Sequence, residues 1–384
     1  MQSGRNNLKK KKYRNVFLEA GISRDEIENR VEETFWEIFY GPDKFYFENG
    51  DGTGYVMDTG NYDVRTEGMS YAMMMCVQLG KKKEFDALWK WARTYMYMEE
   101  GENKGYFAWS VHPDGQKNSY GPAPDGEEFF AMALFFAAHR FGDGQGIFCY
   151  SKEARDLLST CVHKGEDGMG FAMWNPENYL IRFIPDREFT DPSYHLPHFY
   201  QLFSEWANEE DREFWKIATE RSREYLKKAC HHDTGLSAEY STFSGEAYTL
   251  EQEIFGRHDW YFSDAYRTIA NIALDYEWFA KETPEGSWHK ETTEKLQYFF
   301  CKTMAHKPRA IYTIDGQLAG EEALHPVAIT ATNAQASLAS EGPFALACVK
   351  EFWNTPLRTG ERRYYDNCLY LFAMLALSGN YRIW

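Results

Sequence analysis

A chain of 384 residues that is 43% apolar and 26% charged has enough apolar surface for a large buried core and too little polar bias for disorder. Its 58 acidic against 42 basic side chains leave a net charge of -16, which repels the phosphates of nucleic acid and the anionic face of a membrane. No apolar run approaches the roughly 20 residues that cross a bilayer, so neither nucleic acid nor membrane is an expected partner.

In chain order, residues 1–15 carry the basic run Lys9-Lys10-Lys11-Lys12 with no apolar segment behind it, which predicts a solvated tail rather than a secretory signal. The first helix opens at Ser23, where Glu26 completes a capping box, and Ile27, Val31, Phe35 and Ile38 follow at helical spacing until Gly41-Pro42. Further helices are expected near 67–79, 83–97, 126–140, 152–163, 194–207, 210–230, 264–281, 288–304, 328–340, 344–354 and 363–378.

These segments are of two kinds. Tyr370 to Leu377 is apolar all round, which requires burial on every side, whereas 210–230 carries a polar face of Arg212, Lys216, Glu220 and Arg223. About twelve helices alternating between the two kinds predict an all-α fold, an (α/α)6 barrel in two concentric layers. No linker or sharp repeat divides the chain, so residues 1–384 are expected to form a single domain. Long connections at about 41–66, 98–125, 164–193 and 231–263 are dense in Gly, Pro, Asp, Trp and Tyr, and are expected to gather as a cleft where the inner helices begin. The seven cysteines are scattered, odd in number and without C-x-x-C spacing, which fits reduced thiols and a cytoplasmic protein.

Three of the expected helix starts carry carboxylates behind aromatic loops. Glu67 stands in Asp63-Val64-Arg65-Thr66-Glu67-Gly68-Met69-Ser70-Tyr71, where the small Gly68 should let a ligand come close. Asp125 stands in Pro124-Asp125-Gly126-Glu127-Glu128, where Asp125 and Glu128 also fit a helix cap with its reciprocal partner. Asp264 stands in Ser263-Asp264-Ala265-Tyr266-Arg267, with Arg267 one turn on, a spacing that equally suits an exposed ion pair. Cleavage of a glycosidic bond needs one carboxylic acid and a second carboxylate, so these stretches are candidates for that chemistry. Aromatics make up 17% of the chain; most fit a core, and Trp109 and Trp260 are the candidates for stacking on sugar rings. His231-His232 fits a loop pair better than a ligand set, and no phosphate loop is present, so neither metal nor cofactor is expected.

The three stretches, in this order and over essentially the whole chain, resemble glycoside hydrolase family 8. The resemblance implies that Glu67 is the proton donor, that Asp264 is the base activating water, and that Asp125 binds and distorts the sugar on the non-reducing side of the cut. It also implies that Tyr194, in Asp191-Pro192-Ser193-Tyr194, helps to hold the attacking water. Arg267, one turn from Asp264, is expected on charge alone to keep that carboxylate ionised.

Within the family the chain is most similar to members that release xylose from the reducing end of short β-1,4-xylooligosaccharides with inversion. Leu324-His325-Pro326 resembles the kinked loop that closes the cleft beyond the leaving xylose, with Pro326 stiffening the bend. Ala323 stands where a polar residue is expected, which leaves open the group that reads the reducing-end hydroxyl. The alternatives are an endo-acting xylanase, cellulase or chitosanase of the same family, a catalytically silent sugar-binding barrel, and an α/α-barrel epimerase, which paired helical histidines would have marked. Sequence is silent on oligomeric state.

Overall fold

The computed structural model describes residues 12–250 and 257–384. Among the described residues, twelve helices of ten or more residues follow a short one at Val16–Glu19 (α1). Six are outer helices: α2 (Arg24–Phe39), α4 (Lys82–Trp91), α6 (Tyr150–His163), α8 (Arg212–Ala229), α10 (Gly286–Tyr298) and α12 (Ala345–Asn354). Six are inner: α3 (Thr66–Leu79), α5 (Pro124–Phe141), α7 (Pro197–Trp206), α9 (Tyr266–Trp278), α11 (Pro326–Gln335) and α13 (Arg363–Leu377). Each inner helix touches the next, and α13 touches α3, so the ring closes into an (α/α)6 barrel.

The two layers follow from side-chain pattern. From Tyr364 to Leu377 every residue of α13 is buried, as are all residues from Pro124 to Ala137 in α5. On α8 only Trp215, Ala218, Thr219, Ser222, Tyr225, Leu226 and Ala229 are buried, the stripe expected of a helix covered on one side. One polar knot ties the layers: fully buried Asp275 on α9 accepts from Arg223 of α8 at 2.7 Å and faces His289 of α10 at 2.8 Å. Burial opposes its charge, but His289 and Arg223 prevail and hold the carboxyl below its usual range.

The Ser23–Glu26 capping box is present. Residues 1–11 of the expected tail lie outside the described residues, and its remaining end is corrected, because Tyr13, Arg14 and Asn15 are anchored. The Arg14 guanidinium donates to the carbonyls of Ser337 and Leu338 at 2.8 and 3.1 Å, where a helical stretch ends and its carbonyls lack internal partners. Asn15 donates to the Ser378 carbonyl and caps α1.

Short strands in the long connections lock successive inner-helix entries together. Strands β1 (Tyr46–Glu48) and β2 (Gly54–Val56) form a hairpin ahead of α3. Strand β3 (Val64–Arg65) pairs antiparallel with β4 (Ser110–Val111), coupling the approach to Glu67 with the approach to Asp125. Strand β5 (Trp260–Tyr261) pairs with β6 (Ile311–Thr313), which pairs with β7 (Leu318–Gly320), coupling the approach to Asp264 with that to Leu324-His325-Pro326. No helix among the described residues is long and apolar enough to cross a membrane.

Candidate active site

The starts of all six inner helices converge, each contributing side chains. Glu67 is the second residue of α3 and Asp125 the second of α5; Asp191 and Tyr194 precede α7; Asp264 and Arg267 flank the start of α9; His325 precedes α11; Tyr364 and Tyr365 begin α13. Gly126 makes the first two meet, since a Cβ there would lie 2.4 Å from that of Thr66.

Arg267 is the centre of the cluster and is 4% exposed, so the reading of an exposed ion pair with Asp264 is corrected. Its Nη1 donates to Glu67 Oε2 at 3.0 Å, to Asp125 Oδ2 at 3.0 Å and to the Tyr71 hydroxyl at 2.7 Å. Its Nη2 lies 3.1 Å from Asp264 Oδ2 and 3.9 Å from Asp191 Oδ2. The Tyr194 ring stacks against the guanidinium at 5.5 Å. Tyr364 donates to Glu67 Oε1 at 2.8 Å.

Four carboxyl groups crowded around one buried guanidinium cannot all be ionised. Burial pushes Glu67 up to about 8, with Asp264 and Asp125 adding to the shift while Arg267 and Tyr364 oppose it. Burial likewise raises Asp125 to about 6 and, joined by the neighbouring Asp264, holds Asp191 well above the carboxylate range. Near neutral pH, Glu67 therefore keeps its proton. Asp264, with a quarter of its side chain exposed, stands at the open side of the cluster.

Asp264 sits in a 3-10 turn, Ser263–Ala265, and Ser263 adopts a φ of 42°, in the left-handed region that a non-glycine residue rarely occupies. The Tyr365 hydroxyl donates to the Ser263 carbonyl at 3.1 Å and braces this turn from α13. Behind Tyr365 the His325 ring packs at 4.7 Å, and His325 Nδ1 lies 3.0 Å from buried Asp366. Arg358 holds the same loop through the Leu324 carbonyl at 2.7 Å, and Pro326 is the first residue of α11.

Two local expectations are corrected. The cap of α5 is the backbone of Ala123; Asp125 accepts from its neighbour Gly126, and Glu128 is buried against the Tyr200 hydroxyl at 3.0 Å, so they form no capping box. Gly68 does not open space for a ligand, because a Cβ there would lie 2.5 Å from the Tyr364 hydroxyl; the space belongs to that ring. Trp109 and Trp260 are both half-buried, beneath the guanidinium groups of Arg65 and Arg257 at 5.3 and 5.5 Å. His231, His232 and Asp233 offer ligand atoms within 4.8 Å of one another on an exposed turn, where His231 Nδ1 already accepts the Asp233 N–H.

Asp191, Tyr71, Tyr364 and Tyr365 were not among the residues singled out from sequence. Tyr71 and Asp191 lie inside the stretches that carry Glu67 and Tyr194. Tyr364 and Tyr365 open the last inner helix as Glu67 opens the first, so the signal was a polar, aromatic start to an otherwise apolar helix.

With this fold the chain is a glycoside hydrolase: it belongs to glycosyl hydrolases family 8, whose model matches residues 6–379. It is 58% identical over 379 residues, 97% of this chain and 95% of the relative, to a reducing end xylose-releasing exo-oligoxylanase of Halalkalibacterium halodurans. A protein so described from Bifidobacterium adolescentis is 52% identical, with 96% of each chain covered. The fold matches a mutant of Rex8A from Paenibacillus barcinonensis, complexed with an arabinofuranosyl-xylotetraose, with a TM-score of 0.94 and 53% identity over 98% of this chain and 97% of that one.

Proposed function

We propose that this chain, as a single catalytic domain, releases xylose from the reducing end of short β-1,4-xylooligosaccharides with inversion. Protonated Glu67 gives its proton to the glycosidic oxygen as the bond to the leaving xylose breaks. Asp264 takes a proton from the water that attacks the anomeric carbon, and Tyr194 and Arg267 orient that water and the base. Asp125 grips the sugar on the donor side of the cut, and Trp109 and Trp260 offer ring faces to the flat C–H faces of xylose.

The observation that carries this reading is the Arg267 cluster. One guanidinium touches both Glu67, raised to about 8, and Asp264, and so holds an acid and a base at one site. The loop Leu324-His325-Pro326 accounts for exo action by closing the acceptor end. In the run from Ala323 to Pro326 only His325 has a polar side chain, and with Nδ1 engaged by Asp366 its Nε2 remains to read the reducing-end hydroxyl. We place the enzyme in the cytoplasm, where imported short oligosaccharides, unlike polymeric xylan, would reach it.

The test is xylotriose labelled at its reducing-end xylose. Labelled xylose and unlabelled xylobiose are the expected first products. Unlabelled xylose with labelled xylobiose would assign attack to the other end, and cleavage confined to long chains would assign endo action.

A further inference from the structure

The sulfurs of Cys301 and Cys348 lie 3.4 Å apart, although they come from different elements: Cys301 from the π-helical turn Phe299–Thr303 that ends α10, and Cys348 from α12. Cys348 is buried, while Cys301 is partly open to solvent. Burial and the Glu351 carboxylate oppose a thiolate at either sulfur, and the neighbouring Arg309 charge favours one more weakly. The Cys301 thiol is lowered by the hydrogen bond from Cys348, whose own thiol that bond raises.

From this geometry we propose that Cys301 and Cys348 form an oxidant-responsive dithiol, with Cys301 the attacking and Cys348 the resolving thiol, whose disulfide braces the loop carrying Leu324-His325-Pro326. With a hydroperoxide, the Cys301 thiolate attacks one peroxide oxygen; the O–O bond breaks, giving Cys301 sulfenic acid and, after protonation, water or an alcohol. The Cys348 sulfur then attacks the sulfenic sulfur, the S–O bond breaks, and the hydroxide takes the Cys348 proton and leaves as water. Two thiols lose two electrons and two protons in all, and the peroxide is reduced.

The brace runs through Arg309. Its carbonyl accepts the N–H of Ala323 at 2.9 Å, the residue before Leu324. Its Nε donates to Thr330 of α11 at 2.7 Å, and its Nη2 pairs with Glu351, one turn along α12 from Cys348. A bond between residues 301 and 348 closes a loop of chain that contains β6, β7, residues 323–326 and all of α11. Tying its two ends together restricts the excursions open to that loop.

The full chain is treated with hydrogen peroxide under native conditions, then alkylated and mapped without reduction. The expected result is a Cys301–Cys348 cross-linked peptide that dithiothreitol removes and that Cys301→Ser and Cys348→Ser each abolish. In oxidised protein, amide exchange across 311–326 is expected to slow several-fold, and not in Cys301→Ser. Both thiols remaining alkylatable, or Cys301 reaching sulfinic acid without pairing, would overturn the dithiol. A disulfide that leaves exchange across 311–326 unchanged would overturn the brace.

Discussion

The phenol of Tyr364 occupies the space that a side chain on Gly68 would fill: a Cβ there would stand 2.5 Å from its hydroxyl, and that hydroxyl donates to Glu67 at 2.8 Å. A glycine in the first turn of α3, costly to a helix by itself, thus sets the orientation of the neighbouring acid. Gly68→Ala should displace the ring and lower kcat on xylotriose by about 10²-fold, the order expected for an approximately 1 Å misplacement of a reacting group. Steady-state kinetics with circular dichroism as a fold control checks this; an unchanged kcat would mean that Glu67 does not depend on Tyr364.

The pH profile should carry the signature of Glu67. An acid raised to about 8 must be protonated to act, so kcat/KM should fall as pH rises through that value. The Tyr364 hydrogen bond favours the charged form and opposes the rise. Tyr364→Phe should therefore move the alkaline limb to higher pH while lowering the maximum. A limb that moves the other way would show that the hydroxyl instead stabilises the protonated acid.

The same shift has a consequence for stability. Between the ordinary carboxyl value and about 8 the folded state holds a proton on Glu67 that the unfolded chain has released, so this group makes stability fall as pH rises. Glu67→Gln cannot ionise, so its melting temperature relative to the parent should be higher at pH 8 than at pH 5. Its kcat should fall by about 10²–10⁴-fold, as for loss of a general acid. Calorimetry at the two pH values separates this from a plain packing effect, which would be the same at both.

Helical periodicity made the barrel legible, because α13 can only be buried and α8 can only face water on one side. The site was legible where a carboxylate opened an apolar helix. It was not legible where one residue serves another across the ring. Gly68 and Tyr364 are almost 300 positions apart. The pattern around Asp125 and Glu128 fits a cap, and only the contacts of Arg267 with Asp125 and of Tyr200 with Glu128 show that both carboxyls turn inward. Cys301 and Cys348 meet because α10 and α12 are neighbours in the outer layer, a relation that spacing along the chain cannot express.

Asp125 should act in the transition state more than in binding. It touches the same Arg267 nitrogen as Glu67 at 3.0 Å, next to where the distorted sugar ring would gather positive charge. Asp125→Ala should lower kcat more than it raises KM. Because Ala123 and not Asp125 caps α5, the melting temperature should not show the roughly 1 kcal/mol loss typical of a removed cap. Equal losses of stability and activity would reassign Asp125 to structure.

The stereochemical outcome depends on what lies between Glu67 and Asp264. Glu67 and Asp264 contact different nitrogens of Arg267, at 3.0 and 3.1 Å, so the two carboxyls do not share one donor. Inverting enzymes keep their two carboxyls roughly 6.5–9.5 Å apart to admit a water, whereas retaining enzymes bring them to about 5 Å so that one can attack the sugar directly. Asp264 is also the most exposed of the four carboxyls touching Arg267, which suits a base that must meet a water molecule. Xylobiose released from xylotriose should therefore appear first as the α-anomer and equilibrate only later. Proton NMR within the first turnovers, faster than mutarotation, reads the new anomeric signal. Asp264→Asn should abolish it together with the labelled xylose. If the β-anomer came first, Asp264 would be the nucleophile of a covalent intermediate, and the assignment of Tyr194 to water would fall with it.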